Sequence, residues 1–202
     1  DAYHFIMTER PFLRYMLNSF VIAMMTTIVA VTISSMASYA LARLNFRGKG
    51  VILASILAIS MFPSISMISP IYLTISQLGL RNTWWGLLIP YLSFAMPLSV
   101  WYLTTFFRTI PYELEEAAKV DGCTPLQALV KVIIPLVLPG TFTTAILIFI
   151  QAWNEYLFSL TINTDDLSRT VTVGITMFRG EYTMPWVEQA AAIVTVTFPL
   201  AI

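Results

Sequence analysis

An all-α, polytopic membrane bundle is the fold class the sequence predicts, and three observations predict it. Hydrophobic residues make up 57% of the 202 residues and charged residues only 11%, against about 25% charged in ordinary soluble domains. Mean hydropathy is +0.77. Charge-free runs recur along the chain, separated by short charged or glycine-bearing segments, and the first exceeds the roughly 20 residues a helix needs to cross a bilayer. Formal net charge is +0, so charge balance points to neither nucleic acid nor an acidic partner. The single Cys123 excludes an internal disulfide and fits a reduced compartment for its loop. His4, the only histidine, cannot build a metal site alone and reads as a surface residue.

Residues 1–14 are mixed and polar, with Glu9, Arg10 and Arg14, and do not resemble a signal peptide. Charges then vanish from Tyr15 to Ala42. Ser, Thr and Ala are frequent in this first run, as in membrane helices that approach their neighbours closely. The loop from Arg43 to Gly50 holds three cations, two glycines and no acid, which places it on the cytoplasmic side. A second charge-free run, Gly50 to Leu80, contains Pro63 and Pro70. After Arg81-Asn82, with Trp84 and Trp85 placed like interfacial anchors, a third run reaches Phe107 and carries Pro90 and Pro97. Each proline pair lies on one helix face; such prolines are either simply tolerated in a membrane helix or mark a functional kink. Arg108 returns the chain to the cytoplasm. A fourth run, Val132 to Asn154, begins with Pro135 and Pro139. Residues 161–188 are mixed and read as an external loop, and a last run, Gln189 to Ile202, is too short to span.

The longest acidic segment lies between the third and fourth runs, within residues 109–124. Pro111 suits the first turn of a helix, and Glu113, Glu115 and Glu116 then sit near the positive end of its dipole. Leu114, Ala117, Ala118 and Asp121 recur at three- and four-residue spacing and give a narrow small-residue face. Asp121-Gly122 predicts a stop with Gly122 left-handed, and Thr124-Pro125 restarts a helix as N-cap and first helical residue. The segment reads either as a polar turn between spans or as a docking helix for a separate protein.

Glu116-Ala117-Ala118, three residues, Gly122, nine residues, then Val132-Ile133-Ile134-Pro135 resembles the EAA loop of ABC-importer permeases. That pattern runs E-A-A-x-x-x-G, nine residues, I-x-L-P; Val132 and Ile134 are aliphatic departures, and Cys123 stands where the family often has Ala. Gln151-Ala152-Trp153-Asn154-Glu155-Tyr156 resembles the A-W-N-E-[FY] stretch of the carbohydrate (maltose-type) permeases. Phe46-Arg47-Gly48 and Phe107-Arg108-Thr109-Ile110-Pro111 resemble the same subgroup. The resemblance implies one transmembrane permease domain over 1–202, in the bacterial-type cytoplasmic (inner) membrane. Because maltose-type permeases have six spans, it implies a fragment whose first span is missing and whose last is cut. It also implies partners: a second homologous permease, two ATPase subunits, an extracytoplasmic sugar-binding protein and membrane lipid, with no nucleic acid. By the same resemblance, ATPase coupling would fall to Glu113, Glu116, Ala117, Ala118, Asp121, Gly122 and Pro135. The substrate path would be bordered by Trp153, Asn154, Glu155 and Tyr156.

No phosphate loop is present, since Gly48-Lys49-Gly50 lacks the G-x-x-x-x-G-K-[ST] spacing. One histidine supports no nucleophilic triad. The chain is therefore expected to be no enzyme by itself and to hold no cofactor, with ATP and Mg bound by the partner ATPase. Glu155, at the outer end of a run, either snorkels to the interface or faces a water-filled path. An ion-coupled secondary transporter would need intramembrane ionisable groups and an inverted repeat; only Glu155 offers the first and no repeat is found. An ABC permease for a non-sugar solute is the other alternative.

Orientation follows from loop charge. Arg43, Arg47, Lys49, Arg108, Lys119 and Lys131 fall inside; Arg10, Arg14, Arg81, Arg169 and Arg179 fall outside. The dense, acid-free loop at 43–49 decides it. A protease or tag site placed in that loop is expected to be reached only from the cytoplasm of intact cells, and one placed in 161–188 only from outside; cleavage of the first from outside reverses the topology.

Overall fold

A computed structural model describes Ile6, residues 11–177 and residues 186–201. Every regular element among the described residues is helical. We number them α1 (Phe12–Arg43), α2 (Lys49–Ser60), α3 (Ser64–Gln77), α4 (Trp84–Thr109), α5 (Tyr112–Val120), α6 (Pro125–Ala128), α7 (Ile134–Trp153), α8 (Leu157–Ile162), α9 (Val171–Thr176) and α10 (Trp186–Ala201). A π-helical turn, Leu129–Ile133, joins α6 to α7, and a 3₁₀ turn, Asp166–Ser168, lies between α8 and α9. Three stretches are long and apolar enough to cross a membrane: Phe12–Arg43, Trp84–Thr109 and Pro125–Trp153.

The second charge-free run differs from a single straight span. It forms two helices, α2 and α3, with a break between them. Pro63, at φ −64 and ψ 121, is the N-cap of α3; it offers no N–H to continue α2 and pushes the residue before it out of the helical region. Pro70 sits inside α3 without ending it. The stretch read as an external loop from 161 holds the last residues of α8, the 3₁₀ turn and α9. Val171 and Val173 are fully buried there. Its remainder, 178–185 with Arg179 and Glu181, lies outside the described residues, as do His4, Glu9 and Arg10.

The chain divides into two compact units. One comprises Asp1–Thr26, Pro63–Tyr91 and Phe149–Ile202; the other comprises Thr27–Phe62 and Leu92–Ile148. Within the second, Ala30, Ala95 and Ile148 pack together. Ser34 and Ser99 share a buried hydrogen bond at 2.8 Å, and Ser38 donates to the Val100 carbonyl at 2.9 Å. Lipid gives helices no hydrophobic reason to associate, so close backbone approach and such bonds supply the contact. A larger core joins Tyr39, Ala42, Leu103, Phe107, Ile110, Leu129, Ile133 and Val137, and it carries the helix described next.

Gly140 shows how tight this packing is. A Cβ there would stand 2.3 Å from the Phe106 ring, so the ring lies directly against the α7 backbone. Gly140→Ala is expected to destabilise the folded subunit by about 1–3 kcal/mol, read as a lowered thermal midpoint in detergent. Phe106→Leu in the same chain is expected to recover part of that loss.

Candidate functional site

The acidic helix α5 begins at Pro111, whose φ of −57 and ψ of 140 set its entry. It ends in a Schellman motif: the N–H of Gly122 bonds the Lys119 carbonyl and that of Cys123 bonds the Ala118 carbonyl, both at 3.0 Å. Gly122 holds φ at +85, a conformation that costs a side chain roughly 1–2 kcal/mol. Thr124 then caps α6 reciprocally. Its hydroxyl accepts from the Gln127 N–H at 3.3 Å, and the Gln127 side chain accepts from the Thr124 N–H at 2.9 Å. The corner between α5 and α6 is thus fixed by backbone bonds on both sides. The π turn that follows ends just before Pro135; such a turn relieves the clash between a proline ring and the carbonyl four residues earlier.

One residue of α5 anchors it. Glu115 is 5% exposed, as buried as the apolar core around it. Its carboxylate accepts from the Tyr39 hydroxyl at 3.0 Å, pairs with Lys119 at 3.0 Å, and faces the Arg43 guanidinium at 3.7 Å. Arg43, also 5% exposed, donates to the Ile110 carbonyl at 2.8 Å and lies over the Tyr112 ring at 4.6 Å. Tyr112 in turn donates to the Ala42 carbonyl at 2.8 Å. The last turn of α1 is therefore tied to the start of α5 at several points, all inside one compact unit.

Of the residues assigned to coupling, Glu113, Glu116, Ala117, Asp121, Gly122 and Pro135 are exposed, and Ala118 is buried beneath the helix. The small-residue face predicted from Leu114, Ala117, Ala118 and Asp121 is not the packed one. The packed face runs through Glu115 and Ala118, and Leu114 is 41% exposed. Sequence reasoning gave Glu115 only a dipole role, Arg43 only a topological one, and Tyr39 none. The i,i+4 spacing of Glu115 and Lys119 was the one local sign of this cluster.

At the other candidate stretch, α7 ends at Trp153, which is 1% exposed and stacked on Phe149 with ring centroids 5.7 Å apart. Asn154 is exposed and Tyr156 half-buried. The Glu155 carboxylate accepts from the N–H groups of Phe158 and Ser159 at 2.9 and 3.1 Å, capping α8. Its own carbonyl accepts from Thr172 at 2.8 Å. Glu155 is thus bound into the local backbone, a third possibility beside snorkelling and facing water.

Among the described residues, no group of three or more metal-ligating side chains is found. A family model described as binding-protein-dependent transport system inner membrane component matches residues 30–202. A trehalose transport system permease protein of Mycobacterium tuberculosis (strain CDC 1551 / Oshkosh) is 43% identical over 204 residues, covering 100% of this chain and 74% of that protein. A sulfoquinovosyl glycerol transport system permease protein of Agrobacterium fabrum (strain C58 / ATCC 33970) is 40% identical over 195 residues, covering 96% and 68%. The crystal structure of a bacterial ABC transporter that imports the acidic polysaccharide alginate contains a chain of the same fold. It has a TM-score of 0.80 and 26% identity, and the match covers 99% of this chain and 75% of that one.

The buried cluster generates a stability prediction. Arg43→Met strips Glu115 of its buried cation and leaves the Ile110 carbonyl unpaired; the expected loss is about 3 kcal/mol, seen as a lower thermal midpoint and reduced membrane accumulation. Adding Glu115→Leu removes the stranded charge and is expected to recover part of it. A single variant as stable as the parent shows that the cluster holds nothing in place.

Proposed function

The chain belongs to the family of binding-protein-dependent transport system inner membrane components, and on that premise we propose that it is the membrane-spanning subunit of an ATP-driven sugar importer. Supporting the sugar are the relatives' carbohydrate solutes, trehalose and sulfoquinovosyl glycerol. One observation carries the mechanism. Helix α5 is held from beneath by Glu115 and Ala118 while Glu113, Glu116, Ala117 and Asp121 face outward. The Glu113 and Glu116 carboxylates have no hydrogen-bond or ion-pair partner among the described residues.

In this reading α5 is the cytoplasmic coupling helix. Its outward acids meet polar or basic groups of an ATPase subunit, and Ala117 lets the partner approach closely. Exposed Leu114 and Val120, the latter 87% exposed, add apolar contact. ATP and Mg belong to two such ATPase subunits, and a second homologous permease completes the pathway. A sugar-binding protein delivers solute at the opposite face, touching the segment 161–188. When the ATPase dimer closes, α5 moves with it. The Arg43 and Tyr112 contacts carry that motion into the end of α1, and the Schellman corner carries it through α6 to Pro135 and α7. Along the solute path, Asn154 is exposed, as is the Gln151 amide about one turn before it. Trp153, Glu155 and Tyr156 hold the turn that presents Asn154.

The Gly122 corner tests the coupling. No heavy atom lies within 4 Å of a Cβ added there, so Gly122→Leu introduces backbone strain without a clash. Vesicles carrying the assembled importer are expected to show strictly ATP-dependent uptake, and Gly122→Leu is expected to lower the solute moved per ATP hydrolysed by about tenfold. Gly122→Asn, which tolerates the left-handed conformation, is expected to stay close to the parent. Uptake driven by an ion gradient without ATP, or a fully active Gly122→Leu, overturns the proposal.

A further inference from the structure

A cleft of about 350 Å³ in the first compact unit is lined by Arg14, Trp85, Asp165 and Leu167, among others. Its frame is built from two asparagines. Asn18 donates to the carbonyls of Leu167 and Arg169, both at 2.9 Å, and accepts from the Trp84 indole N–H at 3.0 Å. Asn82, left-handed at φ 59, accepts from the Thr164 N–H at 2.8 Å, the Asp165 N–H at 3.2 Å and the Ser168 hydroxyl at 3.3 Å. These bonds fix the walls and leave two opposite charges without a role. Neither the Arg14 guanidinium nor the Asp165 carboxylate has an ion pair or hydrogen bond among the described residues, whereas the neighbouring Arg169 and Asp166 pair with each other.

We propose that this cleft binds the headgroup of a zwitterionic phospholipid, its phosphate on Arg14 and its ammonium on Asp165. Both charges are needed and neither is spare: a guanidinium matches phosphate oxygens in forked geometry, and a carboxylate matches an ammonium. A purely anionic headgroup would leave Asp165 facing negative charge. Position supports a lipid over a soluble ligand. Arg14 lies in the first turn of α1, and Trp84 and Trp85 open α4. Both helices are apolar enough to cross the bilayer, so the cleft lies at the boundary between headgroups and hydrocarbon. Trp85, 59% exposed, has the amphipathic ring that favours that boundary.

The surface beside the cleft continues the argument. Leu13, Leu17, Phe20 and Met24 are 62%, 46%, 46% and 38% exposed. Their spacing of four, three and four puts them on one face of α1. That apolar stripe starts beside Arg14 and runs away along the helix, which is the bed an acyl chain needs below a headgroup held at the cleft.

The proposal rests on α1 and α4 crossing the bilayer, not on which solute is carried, so a lipid assay and an uptake assay fail independently. The assembled importer is reconstituted in vesicles of equal phosphatidylethanolamine and phosphatidylglycerol, extracted, washed with detergent and examined by native mass spectrometry. Retained phosphatidylethanolamine is expected to exceed phosphatidylglycerol. Arg14→Gln and Asp165→Asn are each expected to lower it by about tenfold, while Arg14→Lys keeps the cation and most of the lipid. Both side chains are exposed, and ATPase subunits that still co-purify show that each variant assembles. Equal retention of the two lipids, or variants that retain lipid as the parent does, overturns the proposal. So does free phosphoethanolamine that displaces the lipid at equal concentration, because the site then reads a soluble headgroup.

Discussion

The buried carboxylate of Glu115 is the constraint on which the placement of α5 depends. Removing a carboxylate and a guanidinium from water costs several kcal/mol each, and the return comes only if their remaining capacity is filled. It is filled in part: Tyr39 and Lys119 reach one oxygen of Glu115, Arg43 Nε stands 3.7 Å from the other, and the Ile110 carbonyl and the Tyr112 ring serve Arg43. Glu115 Oε2 and Arg43 Nε and Nη1 make no hydrogen bond among the described residues. Such a cluster adds less to stability than apolar packing of equal volume would. What it supplies is register. Turning α5 by one residue, about 100°, would bring Leu114 or Glu116 beneath the helix. The first leaves Arg43 stranded among apolar side chains. The second draws inward a carboxylate that the proposed ATPase contact requires outside.

Much of this architecture was legible because it is local. Charge-free runs marked the membrane-spanning helices, and the Asp121-Gly122 and Thr124-Pro125 pairs marked both sides of the α5–α6 corner. Each depends on residues within one turn of one another. The acidic cluster was not legible, because Tyr39 and Arg43 lie far from Glu115 in sequence and only the fold brings them together. Hydrophobicity carries no direction either, so the run from Gly50 to Leu80 read as one span although the chain breaks before Pro63 into two helices. The segment after 161 read as a loop because it is polar. Its Ser, Thr and Asn side chains spend their hydrogen bonds inside the chain, Ser159 with Thr170 and Asn163 with the Ser168 carbonyl, which lets short helices form there.

Backbone irregularity explains where those polar side chains are needed. Helices that stop near a bilayer leave carbonyls and N–H groups that lipid cannot satisfy. Asn82 serves the N–H groups that precede the 3₁₀ turn, Asn18 serves carbonyls at and beyond its end, and Glu155 serves the first N–H groups of α8. Each is a polar side chain spent on backbone that short, interrupted helices leave unpaired.

That accounting changes how the Trp153–Tyr156 stretch is read. A carboxylate at a span's end invites a solute or ion role whenever it lacks a protein partner. Glu155 has two backbone donors on its oxygens. Trp153 is buried in a stack with Phe149. Both are thereby held in place, with the buried Trp153 indole N–H left without a hydrogen-bond partner among the described residues. Asn154 remains exposed, on the turn those two residues hold. On the proposed solute path the exposed Asn154 amide donates and accepts at once, as a sugar hydroxyl does, and Trp153 and Glu155 act by fixing the turn that carries it.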